Sequence, residues 1–143
     1  MKIKLYPDSV LRKKAKRVFC FDLSLRKLAD EMFKTMYENA GVGLAANQIG
    51  KLKRVIVVID NGKPNVLINP EIIDKEGFEY ELEGCLSFPD LFINIKRASR
   101  VVVQYQDLYG IKQLLGAEGR LARTIQHEID HLDGKLFIDY KIK

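Results

Sequence analysis

Two helical stretches enclose a block of short β-rich runs, and that order limits the fold of this chain more than any other feature. Leu25, Leu28, Ala29, Met32, Phe33, Met36 and Tyr37 recur at helical spacing, which predicts a helix from about Ser24 to Glu38 with Asp22 or Ser24 as N-cap. Leu121, Ile125, Ile129 and Leu132 repeat the spacing in a predicted helix over about Glu118 to Leu132, stopped near Gly134. Between them, Arg54 to Asp60, Val66 to Ile73, Phe78 to Leu82 and Arg100 to Asp107 read as strands. Asn61-Gly62-Lys63-Pro64 is a strong turn signal, Leu108-Tyr109-Gly110 closes the last run, and Pro70 marks an edge or bulge. Strands joined by tight turns run antiparallel, so the expected class is α+β, antiparallel β-sheets packed around a helix. A short helical stretch is expected after Tyr6-Pro7-Asp8 through Lys14, and Gly41-Val42-Gly43 is expected to end the first long helix.

With 143 residues, 47% of them hydrophobic, the chain is long enough for one core and too short for two ordinary ones, so 1–143 reads as a single domain. The net charge of +5 is spread along the chain. Its densest stretch, Arg12-Lys13-Lys14-Ala15-Lys16-Arg17, suits RNA or a ribosome surface, but its helical spacing makes a solvated face the expectation, with no specific nucleic acid bound. Two cysteines make no disulfide framework, and nothing at the start resembles a secretion signal. No apolar run approaches the roughly 20 residues that span a bilayer. A reducing cytoplasm is the setting implied, with no membrane association.

Both histidines of the chain fall in His127-Glu128-Ile129-Asp130-His131. Residues four apart share a helix face, so both imidazoles can reach one ion while Glu128 contacts a water on it. The bland alternative is two surface histidines; Leu121, Ile125, Ile129 and Leu132 form the core stripe and leave the imidazoles on a neighbouring face, unneeded for packing. A hydrolytic site usually has three protein ligands and a water. Glu83-Gly84-Cys85-Leu86-Ser87 offers a thiolate at a strand end before a turn, although a lone cysteine is more often a small buried hydrophobe, the reading that suits Cys20. Gly41-Val42-Gly43-Leu44-Ala45-Ala46-Asn47-Gln48-Ile49-Gly50 crowds small residues next to an amide, suited either to close backbone approach by a ligand with Gln48 presented to it or to a tight connection.

Taken in order, Gly41-Val42-Gly43-Leu44-Ala45-Ala46-Asn47-Gln48, Glu83-Gly84-Cys85-Leu86-Ser87 and Gln126-His127-Glu128-Ile129-Asp130-His131 resemble the three signature motifs of the peptide deformylases. Leu5-Tyr6-Pro7-Asp8 and Leu11-Arg12-Lys13-Lys14-Ala15 are also similar to that family, so the resemblance spans nearly the whole chain. It implies antiparallel sheets around a central metal-binding helix, an N-terminal helix, and Cys85, His127 and His131 as ligands. The implied reaction removes the formyl group from the N-terminal methionine of new polypeptides, through a water whose pKa the metal lowers. By the same resemblance Glu128 moves the proton, while Gln48 and the Leu86 N–H stabilise the developing oxyanion. An extended substrate would pair near Val42, Gly43 and Phe88, and Val42, Glu83, Arg123 and Thr124 would wall its methionine pocket.

One cysteine and two histidines suit zinc, iron, cobalt or nickel, and the resemblance favours iron(II) in the cell. The implied partners are N-formyl-methionyl nascent peptides, with transient ribosome contact. Asp130 is expected either to support a ligand or to pair with a cation such as Arg97. Arg120 departs from the family pattern, where an apolar residue is common; the stripe His131, His127, Thr124, Arg120 sets it beside the cleft. Only twelve residues follow His131, where many family members continue into a further helix, so docking through such a helix is not expected. Those twelve include Asp133 and Asp139 but no His or Cys, which leaves little room for the downstream third ligand of a His-Glu-x-x-His peptidase. A cysteine-nucleophile hydrolase would leave Glu128 and His131 without work, and a ribosome-associated binding module without turnover would not need Glu128 and Gln48.

Overall fold

Residues 2–140 are described by a computed structural model of the chain. The first long helix, α1, spans Leu23–Glu38, and the Asp22 side chain caps it by accepting the Leu25 N–H at 3.1 Å. At its other end the Gly41 N–H bonds the Met36 carbonyl and the Ala40 N–H that of Tyr37, a Schellman closure. The left-handed residue there is Ala40 (φ 54°), not a glycine of the small-residue run.

Seven strands follow before the second helix: β1 Gly43–Ala45, β2 Val55–Asp60, β3 Lys63–Glu76, β4 Glu79–Cys85, β5 Phe88–Arg97, β6 Arg100–Gln106 and β7 Lys112–Glu118. All named pairings are antiparallel, in a five-stranded sheet ordered β1-β2-β3-β6-β7 and a two-stranded β4-β5 sheet. The register of β3 against β6 shifts between Ile68 and Glu71, across Asn69 (φ 52°) and Pro70, so the bulge expected at the proline is present. Helix α2 covers Gly119–Leu132 and ends in a second Schellman closure, Lys135 N–H to Asp130 and Gly134 N–H to His131, with Gly134 left-handed.

The large sheet lies between the two helices. Along β2, Val55 and Val57 join the α1 residues Leu25, Leu28, Met32 and Met36, while Ile56 and Val58 join α2's Ile125, Ile129 and Leu132. Burial on both faces explains why Val55 to Val58 reads as a continuous apolar run. All four are fully buried, each worth about 1.5–3 kcal/mol relative to an exposed side chain. A third cluster, Leu11, Phe88, Ile95, Leu136 and Phe137, fastens the β4-β5 hairpin and the final turn Phe137–Tyr140 to the N-terminal segment.

Four expectations are corrected. The early helical stretch is only a 3-10 turn, Ser9–Arg12; beyond it the chain extends and Lys16 bridges Lys53, so the basic stretch has no helical face. Cys20 is exposed rather than buried, because Val18 turns inward on this segment and is fixed by the Asn69 side chain. The strand predicted over Phe78 to Leu82 runs from Glu79 to Cys85, and β1, β5 and β7 give no clear apolar alternation because they are short, proline-containing or largely exposed. The histidines are not surplus to packing: His127 and His131 are 7% and 1% exposed.

Candidate metal centre

Strand β4 and helix α2 bring the chemistry together. On β4 the period of two sets Glu83 and Cys85 on one side, and on α2 the spacing of four aligns His127 with His131. One ligand atom from each of Cys85, His127 and His131 lies within 4.8 Å of the others, with Cys85 Sγ 3.4 Å from His131 Nε2. Metal–sulfur and metal–nitrogen bonds of about 2.3 and 2.0–2.1 Å in a tetrahedron separate such donors by roughly 3.3–3.6 Å; Cys85 and His131 already have that spacing, and the set as a whole would close by about an ångström around a small divalent ion. Burial holds the His131 pKa well below its ordinary value, which keeps the imidazole neutral as a ligand must be.

Glu83 decides how His127 is presented. Its Oε1 lies 2.8 Å from His127 Nδ1, which leaves Nε2 for the ion. Arg97 holds the same carboxylate through Nε and Nη2 at 2.7 and 3.0 Å, and Arg123 adds Nη1 at 2.7 Å. Burial would raise the Glu83 pKa, but the hydrogen bonds from His127 and Arg97 bring it to about 2. Arg97 also donates to Asp130 at 2.7 Å, and Asp130 accepts from Tyr140. The two roles expected as alternatives for Asp130 are therefore one: it pairs with Arg97, whose other face supports Glu83 behind His127. The support of His127 by Glu83 escaped sequence reading, although the same-face spacing of Glu83 and Cys85 was the signal for it.

Gln48 is buried in the turn after β1, where its Oε1 accepts the Ala45 N–H at 2.9 Å. That leaves its amide N–H₂ directed at Cys85 Sγ (3.6 Å) and Ser87 Oγ (3.1 Å). Glu128 is 5% exposed, its Oε1 has no hydrogen-bond partner, and burial pushes its pKa up to about 7 against the pull of His127. A cleft of about 620 Å³ opens on the group, lined among others by Val42, Gly43, Glu83, Leu86, Phe88, Arg123 and Thr124. Every predicted site residue except His131 lines this cleft, and His131 lies beneath Cys85. Glu83 and Arg123 reach it with their charges already paired to each other, while Arg120 stands exposed at the rim.

The family model described as polypeptide deformylase matches residues 1–143. The chain belongs to the polypeptide deformylase family. A peptide deformylase of Nitrosococcus oceani is 50% identical over 138 residues, covering 94% of this chain and 83% of that protein. That of Caldicellulosiruptor bescii is 52% identical over 143 residues, covering 99% and 86%. Among solved structures, peptide deformylase from Thermotoga maritima superposes with a TM-score of 0.96 at 44% identity, over 99% of this chain and 97% of that one. The Synechococcus elongatus peptide deformylase, in complex with actinonin, gives 0.97 at 44% identity over 100% and 79%. Membership of the polypeptide deformylase family makes this a metal-dependent hydrolase that removes the N-formyl group from the methionyl start of new polypeptides.

Proposed function

We propose that Cys85, His127 and His131 hold one divalent ion and that Glu128, Gln48 and the Leu86 N–H act on the formyl group. The observation that carries this reading is the unpartnered, buried Glu128 carboxylate oxygen beside a three-donor cluster of the right size. When bound, the ion supplies Lewis acidity toward water and the formyl oxygen. Glu128 takes the proton released as water adds to the formyl carbon and returns it to the amine as the C–N bond breaks, leaving formate and a free N-terminus. A carboxyl with a pKa near 7 is suited to both transfers. The amide N–H of Gln48, held in orientation by Ala45, and the N–H of Leu86 donate to the oxygen as it gains charge.

The peptide lies extended along the free edge of β1. The Val42 carbonyl accepts from Ile59 on β2 while the Ala45 N–H turns the other way to Gln48, so the alternation leaves Gly43's backbone groups on the open side. Phe88 contacts the peptide from the opposite wall, and Val42, Thr124 and the paired Glu83–Arg123 side chains surround its methionine. In this reading residues 1–143 are one catalytic domain acting in the cytoplasm on nascent chains, with transient ribosome contact. Iron(II) is the ion in the cell, and zinc, nickel or cobalt are accepted in purified protein because a thiolate with two imidazoles discriminates little among them.

Anaerobically purified protein should contain one equivalent of metal and release formate from formyl-Met-Ala-Ser while leaving the acetyl analogue intact. Glu128→Ala should keep the metal and lose at least about two orders of magnitude in turnover. Cys85→Ala should lose the metal, and unchanged metal content in that variant would overturn the ligand set.

A further inference from the structure

The fold concentrates positive charge on one surface away from the cleft. Residues 1–17 carry seven Lys or Arg against one acid, and residues 46–59 carry three against none. Together the two segments hold a net nine positive charges in a chain whose total is +5, so the remainder is net negative. Tertiary hydrogen bonds lay the segments side by side: Asn47 Nδ2 to the Lys13 carbonyl at 2.8 Å, Lys16 N–H to Leu52 and Arg54 N–H to Lys16, both at 2.9 Å. Arg12 and Arg54 are spent on Asp139 and Asp133. Lys13, Lys14, Lys16, Arg17, Lys51 and Lys53 are exposed, and none has an acidic partner among the described residues. None of the six lines the catalytic cleft.

We propose that this surface binds the phosphate backbone of an RNA stem, holding the enzyme beside the RNA-rich machinery from which its substrate emerges. The proposal rests on the reading above that nascent formylated chains are the substrate. Five of the six cations are lysines, point charges that neutralise phosphates without reading bases, so the contact carries no sequence preference. A lipid surface fits less well: Phe19 is exposed beside Arg17, but a single ring on an extended segment is a small anchor, and the described residues there form no amphipathic helix to enter a bilayer. Since the six groups do not touch the cleft, binding leaves the reaction itself unchanged.

The test uses the metal-loaded enzyme and a fluorescent RNA hairpin with a stem of about 20 base pairs, titrated by anisotropy between about 50 and 200 mM salt. Contact by four to five of the cations gives a log–log salt slope near −4, or a few hundred-fold weaker binding across that range. Combined Lys14→Gln, Lys16→Gln, Lys51→Gln and Lys53→Gln should weaken binding at least about tenfold at the lower salt and flatten the slope. A variant of equal net charge, Lys27→Gln, Lys34→Gln, Lys63→Gln and Lys112→Gln, should lose about threefold at most. Formate release from formyl-Met-Ala-Ser should be the same in all three proteins, which also verifies that both variants fold. The proposal is overturned by no binding at the lower salt, by equal losses in the two variants, or by tighter patch-dependent binding to phosphatidylserine vesicles than to the hairpin. Failure of formate release in the parent enzyme would instead overturn the functional reading, whatever the RNA result.

Discussion

Gly43 is the residue at which fold and reaction meet. A Cβ added there would lie 2.6 Å from Thr124 Cγ2 and 2.8 Å from Glu128 Oε2, so only a bare backbone lets β1 rest on α2 beside the group proposed to move the proton. Gly43→Ala should therefore push Glu128 from its position and cost at least about tenfold in kcat/KM with metal content unchanged, because sub-ångström misplacement of a positioned group is felt directly in the rate. Steady-state kinetics with parallel metal analysis check this; wild-type kinetics would mean that Glu128 tolerates the shift. The sequence marks Gly43 as a place of close approach, but the atoms that come close belong to a helix about eighty residues away, which local pattern does not reveal.

At the scale of elements, the joint between β4, β5 and α2 is electrostatic. Arg97 at the end of β5 is 4% exposed at its side chain and pairs with Glu83 of β4 and Asp130 of α2. Breaking a buried pair by removing one partner leaves the other charges uncompensated, typically at a cost of about 3–5 kcal/mol. Arg97→Leu should lower the thermal midpoint by roughly ten degrees and weaken metal retention, since Glu83 then loses its anchor behind His127. A midpoint within a degree or two of the parent would show that Arg123 alone suffices to hold Glu83. The two long helices and the bulged strand were legible because their apolar spacing and turn residues are local. Strand β5 was not: Pro89, Asp90 and a mostly exposed face hide its pairing with β4.

Across the whole molecule, the two ends of the described chain are tied. Arg12 grips Asp139 through two hydrogen bonds of 2.7 and 3.0 Å, and the Ala15 N–H bonds the Leu132 carbonyl at the end of α2. The Arg12 guanidinium holds the Asp139 carboxyl below the ordinary carboxylate value. A lowered folded pKa means that the stabilisation is complete above the unfolded value of about 3.9 and is lost as pH falls through the folded one. For a partly exposed pair it is worth about 0.2–1 kcal/mol. Asp139→Asn should thus melt about 1–3 °C below the parent at neutral pH, and the gap should close as pH is taken below 4. A gap that stays constant through that range would assign the effect to packing.

Sequence by itself determined the class of fold and the chemistry available. Helical spacing, turn residues and the small stock of metal-binding side chains are written locally, and the paired His127 and His131 on one helix face needed no partner to be recognised. Tertiary structure alone decided how those groups are held. Glu83 was legible only as a cleft residue; that it also orients His127 was not, because its partners Arg97 and Arg123 come from other elements and meet it only on folding. The basic stretch looked like one solvated helical face; its extended backbone and its alignment with Lys51 and Lys53 follow from hydrogen bonds to a segment more than thirty residues away. Long-range pairing depends on which backbone and charged groups find partners when the core closes, and the order of residues along the chain does not state that directly.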